Sequence, residues 1–182
     1  MNNETEAVLL ELRELVNQRI ADCRQAHPTR PHEPGSTTFG RILTVDAWCC
    51  SNNPAVAAAT RNLLNSPEAL AQVLNDAVEH VGMTILRPAD MVVVPLDPGK
   101  VSTGEDDGGV TGTVILTTSH AAIHTWPLQR QLSFDMFSCQ DFAADELLDF
   151  LVSRLYITGA QARTYVRDHN VIPKDRIVLF SP

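Results

Sequence analysis

The sequence is short of positive charge and of long apolar runs, and each shortage excludes a class of partner. Lys and Arg number 14 against 22 acidic residues, which gives a net charge of -8. Because no run of basic residues occurs, neither a nucleic-acid groove nor an anionic membrane surface is the expected partner. No apolar stretch approaches the roughly 20 residues that span a bilayer, and the first residues lack a signal peptide's basic and apolar blocks. We therefore expect a cytoplasmic protein that binds small molecules or other proteins.

Cysteine is also scarce, and its positions do not indicate a metal site. The four cysteines stand at positions 23, 49, 50 and 139 and match no metal-ligand spacing. Adjacent residues such as Cys49 and Cys50 do not easily bridge each other, which favours free thiols in a reducing compartment. A chain of 182 residues with 44% hydrophobic content can bury a core without disulfides, and its length predicts one domain.

The chain divides into an extension and a main region. An amphipathic helix is predicted over residues 3–25, where apolar residues recur at three- and four-residue spacing behind a capping box at Asn3 and Glu6. Three prolines and a glycine then interrupt regular structure over residues 27–35. We predict that residues 1–37 form a helical extension and linker, and that residues 38–182 form the main domain.

The main domain has the pattern of a mixed fold. Helices are predicted to begin at Asn53-Pro54 and Ser66-Pro67, where an N-cap residue precedes proline, and a further helix is predicted over residues 144–155. Strands are predicted over residues 41–48, 83–87, 91–95, 132–137 and 176–180. Residues 109–126 are predicted to form either one long strand or two strands with a break near Thr118. Residues 95–109 are predicted to form a long polar loop. The expected fold class is α+β, an antiparallel sheet with helices on one face.

The register of the central hairpin predicts that two reactive side chains meet. If its turn centres near Gln129, antiparallel pairing places Ser119 opposite Cys139, with their Cβ atoms roughly 5 Å apart. A slip of one residue would put the two side chains on opposite faces of the sheet.

Ser119, His124 and Cys139 first suggest nucleophilic catalysis, with His124 as the base. His124 lies five positions after Ser119, however, which is the opposite face of an unbroken strand, and no G-x-S-x-G elbow surrounds the serine. A zinc site at His120, His124 and Cys139 would lack a fourth ligand. An ordinary hydrolase and a metal site are therefore poorly supported.

Two segments resemble motifs of the prokaryotic S-adenosylmethionine decarboxylases. SHAAIHTWP begins at Ser119, and FDMFSC ends at Cys139. The family carries Ser-His-x-x-Ile-His-Thr-Trp-Pro-Glu and, after a turn, Ile-Asp-x-Phe-Thr-Cys-Gly. GVTG at residues 109–112 and the segment FGRIL at residues 39–43 resemble two further family segments. The resemblance covers roughly residues 39–180.

The resemblance implies a protein that makes its cofactor from its own chain. In this family a serine attacks the preceding carbonyl, an ester forms, and elimination leaves a β chain and an α chain that begins with a pyruvoyl group. The cut would fall between Thr118 and Ser119, so that Ser119 becomes the pyruvoyl group. That group forms a Schiff base with the substrate amine and acts as the electron sink during decarboxylation. The resemblance also implies a two-layer α/β sandwich and a homodimer of processed αβ protomers, with the site near the interface.

The family pattern also suggests roles for individual residues. By position, His124 matches the processing histidine, Thr111 a serine whose hydroxyl assists it, and Cys139 the cysteine that donates a proton after decarboxylation. The glutamate that holds the ribose hydroxyls of the substrate is Leu128 here, and the phenylalanine that stacks on its adenine is Val93. A buried carboxylate-hydroxyl contact is worth about 1.5 to 3 kcal/mol, and leucine supplies none of it.

These differences predict a changed substrate in polyamine biosynthesis. We expect a basic amino acid, L-ornithine or L-arginine, whose side chain would pair with Asp46; Asp90 and Asp135 are weaker candidates. S-adenosylmethionine itself is the first alternative. An uncleaved regulatory paralogue is the second, favoured by Thr118 where the family has glutamate. His120 follows the serine in the family pattern, but we interpret it as a core histidine rather than as a functional residue. We likewise interpret Trp126 as a packing residue rather than as a substrate contact.

Overall fold

The computed structural model describes residues 38–49, 51–97, 99 and 108–168, and these residues form six strands and three helices. The strands are β1 (Thr38–Trp48), β2 (Ile85–Val94), β3 (Gly109–Leu116), β4 (Ser119–Trp126), β5 (Gln131–Ser138) and β6 (Gly159–Asp168). The helices are α1 (Pro54–Leu64), α2 (Pro67–His80) and α3 (Ala144–Leu155). The predicted helix over residues 3–25, the linker, the strand over residues 176–180 and most of the loop over residues 95–109 lie outside the described residues.

The strands form one antiparallel sheet in the order β2-β3-β4-β5-β1-β6. Buried residues alternate with more exposed ones along β3, β4 and β5, which is the pattern of a sheet covered on one face. The core between the sheet and the helices includes Phe134, Met136, Leu70, Leu74, Leu147 and Leu151. The predicted α+β fold with helices on one face is confirmed.

The other side of the sheet, which we call the open face, positions the candidate site. It consists of the even-numbered residues of β4 and of β1 from Ile42 onward, and of the odd-numbered residues of β5 and of β3 from Thr111 onward. Its large apolar side chains include Trp48, 38% exposed, and Ile115, 37% exposed. Within the described ranges no helix covers this face.

Local sequence signals place the first two helices as predicted. The side chain of Asn53 accepts hydrogen bonds from the amides of Ala55 and Val56, and Ser66 Oγ accepts one from the amide of Ala69. A proline occupies the first turn of each of these two helices, where its missing N–H has no intrahelical partner to lose.

No described helix is long and apolar enough to cross a membrane.

Three strand predictions differ from the structure or are settled by it. The segments predicted as two strands over residues 83–87 and 91–95 form the single strand β2, whose register shifts on both sides of Arg87, next to Pro88. Pro88 has no N–H for the ladder, so the sequence suggested a break where the strand continues with an irregularity. The break near Thr118 is confirmed, since a turn over residues 117 and 118 separates β3 from β4. Strand β6 was not predicted.

Candidate active site

Ser119 opens β4 directly after the turn, and its backbone conformation is unusual. Its φ angle is 151°, in a region that side-chain-bearing residues rarely adopt. Such a conformation costs about 1–3 kcal/mol and persists only where the surrounding structure imposes it. Here the residue is held from both sides, because it pairs with Leu116 of β3 and with Ser138 of β5. Strain is therefore located at the residue that follows the Thr118–Ser119 bond.

The pairing of Ser119 corrects the predicted register by one residue. Ser119 lies opposite Ser138, and Cys139 follows the end of β5. The cause is the turn between β4 and β5, which contains the four residues 127–130 and so centres between two residues rather than on Gln129. Arg130 closes this turn with a positive φ of 56° and donates its amide to the Pro127 carbonyl.

Cys139 nevertheless contacts the residue before Ser119 through its backbone. The amide of Cys139 donates a hydrogen bond to the carbonyl oxygen of Thr118 at 3.0 Å. The hydroxyl of Ser138, which is fully buried, donates to Thr118 Oγ1 at 3.0 Å. Thr118 is thus fixed at both its carbonyl and its side chain, and the carbonyl of the Thr118–Ser119 bond faces a main-chain donor. The role of Ser138 was missed because a serine in a strand carries no sequence signal for it.

Two further contacts hold the segment that carries Cys139. Ser138 Oγ accepts a hydrogen bond from the amide of Gln140 at 3.0 Å, and Arg41 Nε donates to Asp141 Oδ1 at 2.6 Å. Gly40 of β1 packs closely against this segment, because a Cβ atom at Gly40 would stand 2.1 Å from the Ser138 carbonyl oxygen. The absence of a side chain at Gly40 therefore allows this segment to lie next to Thr118.

His120 is the imidazole that the structure brings to Ser119. Ser119 Oγ and His120 Nδ1 are 3.1 Å apart, within hydrogen-bond distance. His120 Nε2 lies 4.0 Å from Asp135 Oδ2, with both side chains about half exposed. The sequence interpretation of His120 as a buried core histidine was wrong, because it points to the open face. Residue parity along β4 could have indicated this orientation.

His124 lies elsewhere on the open face and pairs with Thr111. The two residues are opposite each other across β3 and β4, and Thr111 Oγ1 contacts His124 Nδ1. The Trp126 ring packs edge-on against the imidazole, with ring centroids 4.2 Å apart. Partial burial lowers the pKa of His124 below its ordinary value of 6.5, because the charged imidazolium loses water contacts. His124 lies five positions after Ser119 along β4, a distance of roughly 16 Å, so the two side chains do not meet within one chain.

The candidate substrate residues lie at different places. Asp46 is on the open face, where Ser133 Oγ donates to its carboxylate at 2.6 Å. Leu128 is 47% exposed in the turn after β4. Val93 lies opposite Val110, whose side chain is in the core, so Val93 is on the helix side of the edge strand β2. Its neighbour Val92 faces Thr111 and is the β2 residue on the same face as His124.

The remaining acidic and metal-binding candidates do not form a cluster. Asp90 makes an exposed ion pair with Arg87 at 3.6 Å. In the part of the chain that the structure describes, no three His, Cys, Asp or Glu side chains group as metal ligands, so His120, His124 and Cys139 do not converge. Cys139 is an exposed, free thiol.

Known proteins resemble this chain in sequence and in fold. A sequence model of the family described as S-adenosylmethionine decarboxylase matches residues 42–168. The S-adenosylmethionine decarboxylase proenzyme of Brevibacillus brevis is 29% identical over 132 residues, 72% of this chain and 84% of that protein. The proenzyme of Thermomicrobium roseum is 29% identical over 109 residues, 60% of this chain and 75% of that one. The crystal structure of the adenosylmethionine decarboxylase from Aquifex aeolicus has a TM-score of 0.53 at 20% identity, covering 73% of this chain and 93% of its own, and shows the same fold.

Proposed function

Because this chain belongs to the S-adenosylmethionine decarboxylase family, we propose that it cuts itself between Thr118 and Ser119 and then decarboxylates a small amino-acid-type substrate. The geometry of that bond carries the proposal. Attack of the Ser119 hydroxyl on the Thr118 carbonyl puts negative charge on the carbonyl oxygen, and the Cys139 amide at 3.0 Å is placed to stabilise it. Strain at Ser119, whose φ is 151°, would be relieved once the bond breaks.

The surroundings of Ser119 fit its conversion to a pyruvoyl group. The residue heads a strand that is paired on both sides, so the new chain end would stay in place after cleavage. A pyruvoyl group supplies the ketone that binds the substrate amine and accepts the electrons released as carbon dioxide leaves. His120 and Ser138 would hold this group. Cys139, which is exposed, would supply the proton that replaces the lost carboxylate.

The position of His124 supports a homodimer. If His124 takes part in processing, the roughly 16 Å that separates it from Ser119 within one strand is too far for proton transfer. A twofold contact between two open faces would bring the Thr111–His124 pair of one copy to Ser119 of the other. The same contact would bury exposed apolar side chains such as Trp48 and Ile115. We therefore place the processed αβ protomers in a homodimer with the sites near the interface.

For the substrate we propose a basic amino acid, L-ornithine or L-arginine, so that the product enters polyamine biosynthesis. Asp46 supports this assignment because it shares a cross-strand row with His124: both lie opposite Ser133, from the two sides of β5. They lie two strand spacings apart, about 10 Å in all, so the twofold contact proposed above would bring Asp46 of one copy, together with His124, towards Ser119 of the other. Leu128 offers no carboxylate for a ribose, and neither Val93 nor its neighbour Val92 on the open face offers a ring for an adenine.

S-adenosylmethionine is the second candidate substrate, because the curated relatives are named for it. We propose that the enzyme acts in the cytoplasm, where the exposed thiol of Cys139 would stay reduced.

The experiment measures release of labelled carbon dioxide from carboxyl-labelled ornithine, arginine and S-adenosylmethionine, each incubated with the purified protein. Ser119→Ala, which cannot form the pyruvoyl group, is the control. We expect release from ornithine or arginine by the wild type alone. Release from S-adenosylmethionine alone would replace the proposed substrate with the second candidate, and release from none of the three by a fully cut protein would refute both.

A further inference from the structure

We propose that His120 is the base that starts self-cleavage and that Asp135 holds its ring in position; the inference rests on the self-cleavage proposed above. The His120 imidazole lies between the side chains of Ser119 and Asp135. Its Nδ1 is 3.1 Å from Ser119 Oγ, and its Nε2 is 4.0 Å from Asp135 Oδ2. A hydroxyl, an imidazole and a carboxylate in this order are the groups that activate a serine in enzymes of unrelated folds.

The backbone of Ser119 explains why two consecutive residues meet. In a regular strand, neighbouring side chains point to opposite faces, so a serine and the histidine after it do not touch. The φ of 151° departs from strand geometry, and with it Ser119 Oγ lies against the His120 ring. The contact between the Ser119 hydroxyl and the His120 ring therefore depends on the strained conformation of Ser119.

The sheet fixes the other side of the imidazole. His120 lies opposite Phe137, and Asp135 is two residues from Phe137 on the same strand and face, which makes Asp135 its diagonal neighbour. The Phe137 ring meets the imidazole edge-on, with ring centroids 6.3 Å apart. Ring contact and carboxylate together restrict the orientation of His120, so that Nδ1 faces the serine.

The step is an acyl shift from nitrogen to oxygen. His120 Nδ1 takes the proton from Ser119 Oγ as Oγ bonds to the Thr118 carbonyl carbon, and the carbonyl electron pair moves to the oxygen that the Cys139 amide contacts. The carbon–nitrogen bond between residues 118 and 119 then breaks, and the proton on His120 passes to the leaving nitrogen. The product is an ester with a free amine on Ser119, and no atom is gained or lost. Asp135 stabilises the imidazolium that exists between the two transfers.

The test follows cleavage of the full chain after cell-free synthesis, by intact mass over time. The variants are His120→Ala, His120→Asn, whose amide can replace the hydrogen bond but not accept the proton, and Ser119→Ala. His80→Ala, which removes an exposed histidine of α2, is the matched control. We expect wild type and His80→Ala to be cut alike, and both His120 variants to be slowed by about 10²- to 10⁴-fold. Added imidazole should restore cleavage of His120→Ala but not of Ser119→Ala.

Hydroxylamine distinguishes the step that is blocked. It cuts an ester and leaves an amide intact, so a precursor that stalls before the acyl shift should resist it. If His120→Ala stalls but hydroxylamine cuts it at residue 118, the ester forms without His120 and the inference is wrong. Wild-type cleavage rates in His120→Ala or His120→Asn overturn it as well. An uncut wild-type chain would instead refute self-cleavage itself.

Asp135 is tested as a positioning residue. Because its contact with His120 is half exposed, Asp135→Asn should slow cleavage of the wild type by only about 2- to 5-fold. In His120→Ala restored with imidazole, the same substitution should have no further effect, since free imidazole needs no positioning by this carboxylate. Equal slowing in both backgrounds would show that Asp135 acts on the fold rather than on His120.

Discussion

The main-chain amide of Cys139 lies 3.0 Å from the carbonyl oxygen of Thr118, so the residue after β5 contacts the Thr118–Ser119 peptide through its backbone. The thiol of Cys139 is not needed for this contact. The two tasks that we propose for this residue therefore depend on different groups: stabilisation of charge during cleavage on the amide, and proton donation during decarboxylation on the thiol.

Replacement of Cys139 by alanine should separate these tasks in solution. The variant keeps the amide, so we expect its chain to be cut at close to the wild-type rate. Without the thiol, decarboxylation by the cut protein should fall by about 10²- to 10⁴-fold, the usual contribution of a general acid. Intact mass and labelled carbon dioxide release measure the two steps on one sample. A Cys139→Ala chain that stays uncut would show that the thiol itself takes part in cleavage.

Replacement of Gly40 by alanine should slow cleavage, although Gly40 does not contact the cleaved bond itself. Gly40 has a φ of +128°, and its new Cβ would collide with the Ser138 carbonyl and displace Cys139. Gly82→Ala is the matched control, because Gly82 has a φ of +76° but a Cβ added there would meet no atom within 4 Å. Both substitutions should lower the free energy of unfolding, by about 1–3 kcal/mol from backbone strain alone. Only Gly40→Ala should slow cleavage, and equal cleavage rates in the two variants would contradict the account.

The lowered pKa of His124 predicts a pH dependence of stability. Burial disfavours the charged ring, so the stability that depends on neutral His124 is present above pH 6.5 and is lost as the pH falls through the lower folded-state pKa. In uncut Ser119→Ala, the free energy of unfolding should therefore fall more steeply below pH 6.5 than in the same protein with His124→Gln. Denaturant unfolding across that pH range measures the difference.

The cause of this shift can be tested separately by NMR titration of the His124 ring. Thr111→Val removes the hydroxyl that contacts Nδ1 but leaves the ring buried. Because desolvation is the cause, the pKa of His124 should stay below 6.5 in this variant. A return to 6.5 would assign the shift to the Thr111 contact.

Substitution of Asp46 should affect substrate binding rather than cleavage. If the carboxylate pairs with the basic end of the substrate, Asp46→Asn should raise KM for ornithine or arginine roughly 10- to 100-fold, the worth of a hydrogen bond to a charged group. Cleavage of the chain should not change. Asp145→Asn, in the first turn of α3, is the control for loss of a surface charge. An unchanged KM in Asp46→Asn would remove this residue from the site.

Local signals were sufficient to predict most of the fold. Asn53 and Ser66 cap their helices as their position before proline indicated, and the break near Thr118 was one of the two alternatives that the sequence left open. Strand β6 was missed because it is an edge strand whose residues from Ala160 to Val166 are all exposed, so no alternation marks it. Its pairing with β1 depends on tertiary structure that local sequence does not contain.

The site was predicted in part, for reasons that the backbone explains. Cys139 lies next to the Thr118–Ser119 bond, but its amide contacts the Thr118 carbonyl and its side chain does not face Ser119, because the four-residue turn before β5 moves the register by one residue. The contact between Ser119 and His120 depends on a φ of 151°, which strand periodicity excludes. Sequence patterns assume regular backbone, and this residue departs from it.

The most direct test of the central claim is the intact mass of the freshly purified wild-type chain beside Ser119→Ala. We expect two wild-type fragments divided between Thr118 and Ser119, the second beginning with a pyruvoyl group, and one uncut chain of 20.0 kDa for the variant. A wild-type chain that stays whole at 20.0 kDa would contradict the account and favour an uncleaved regulatory protein of the same fold.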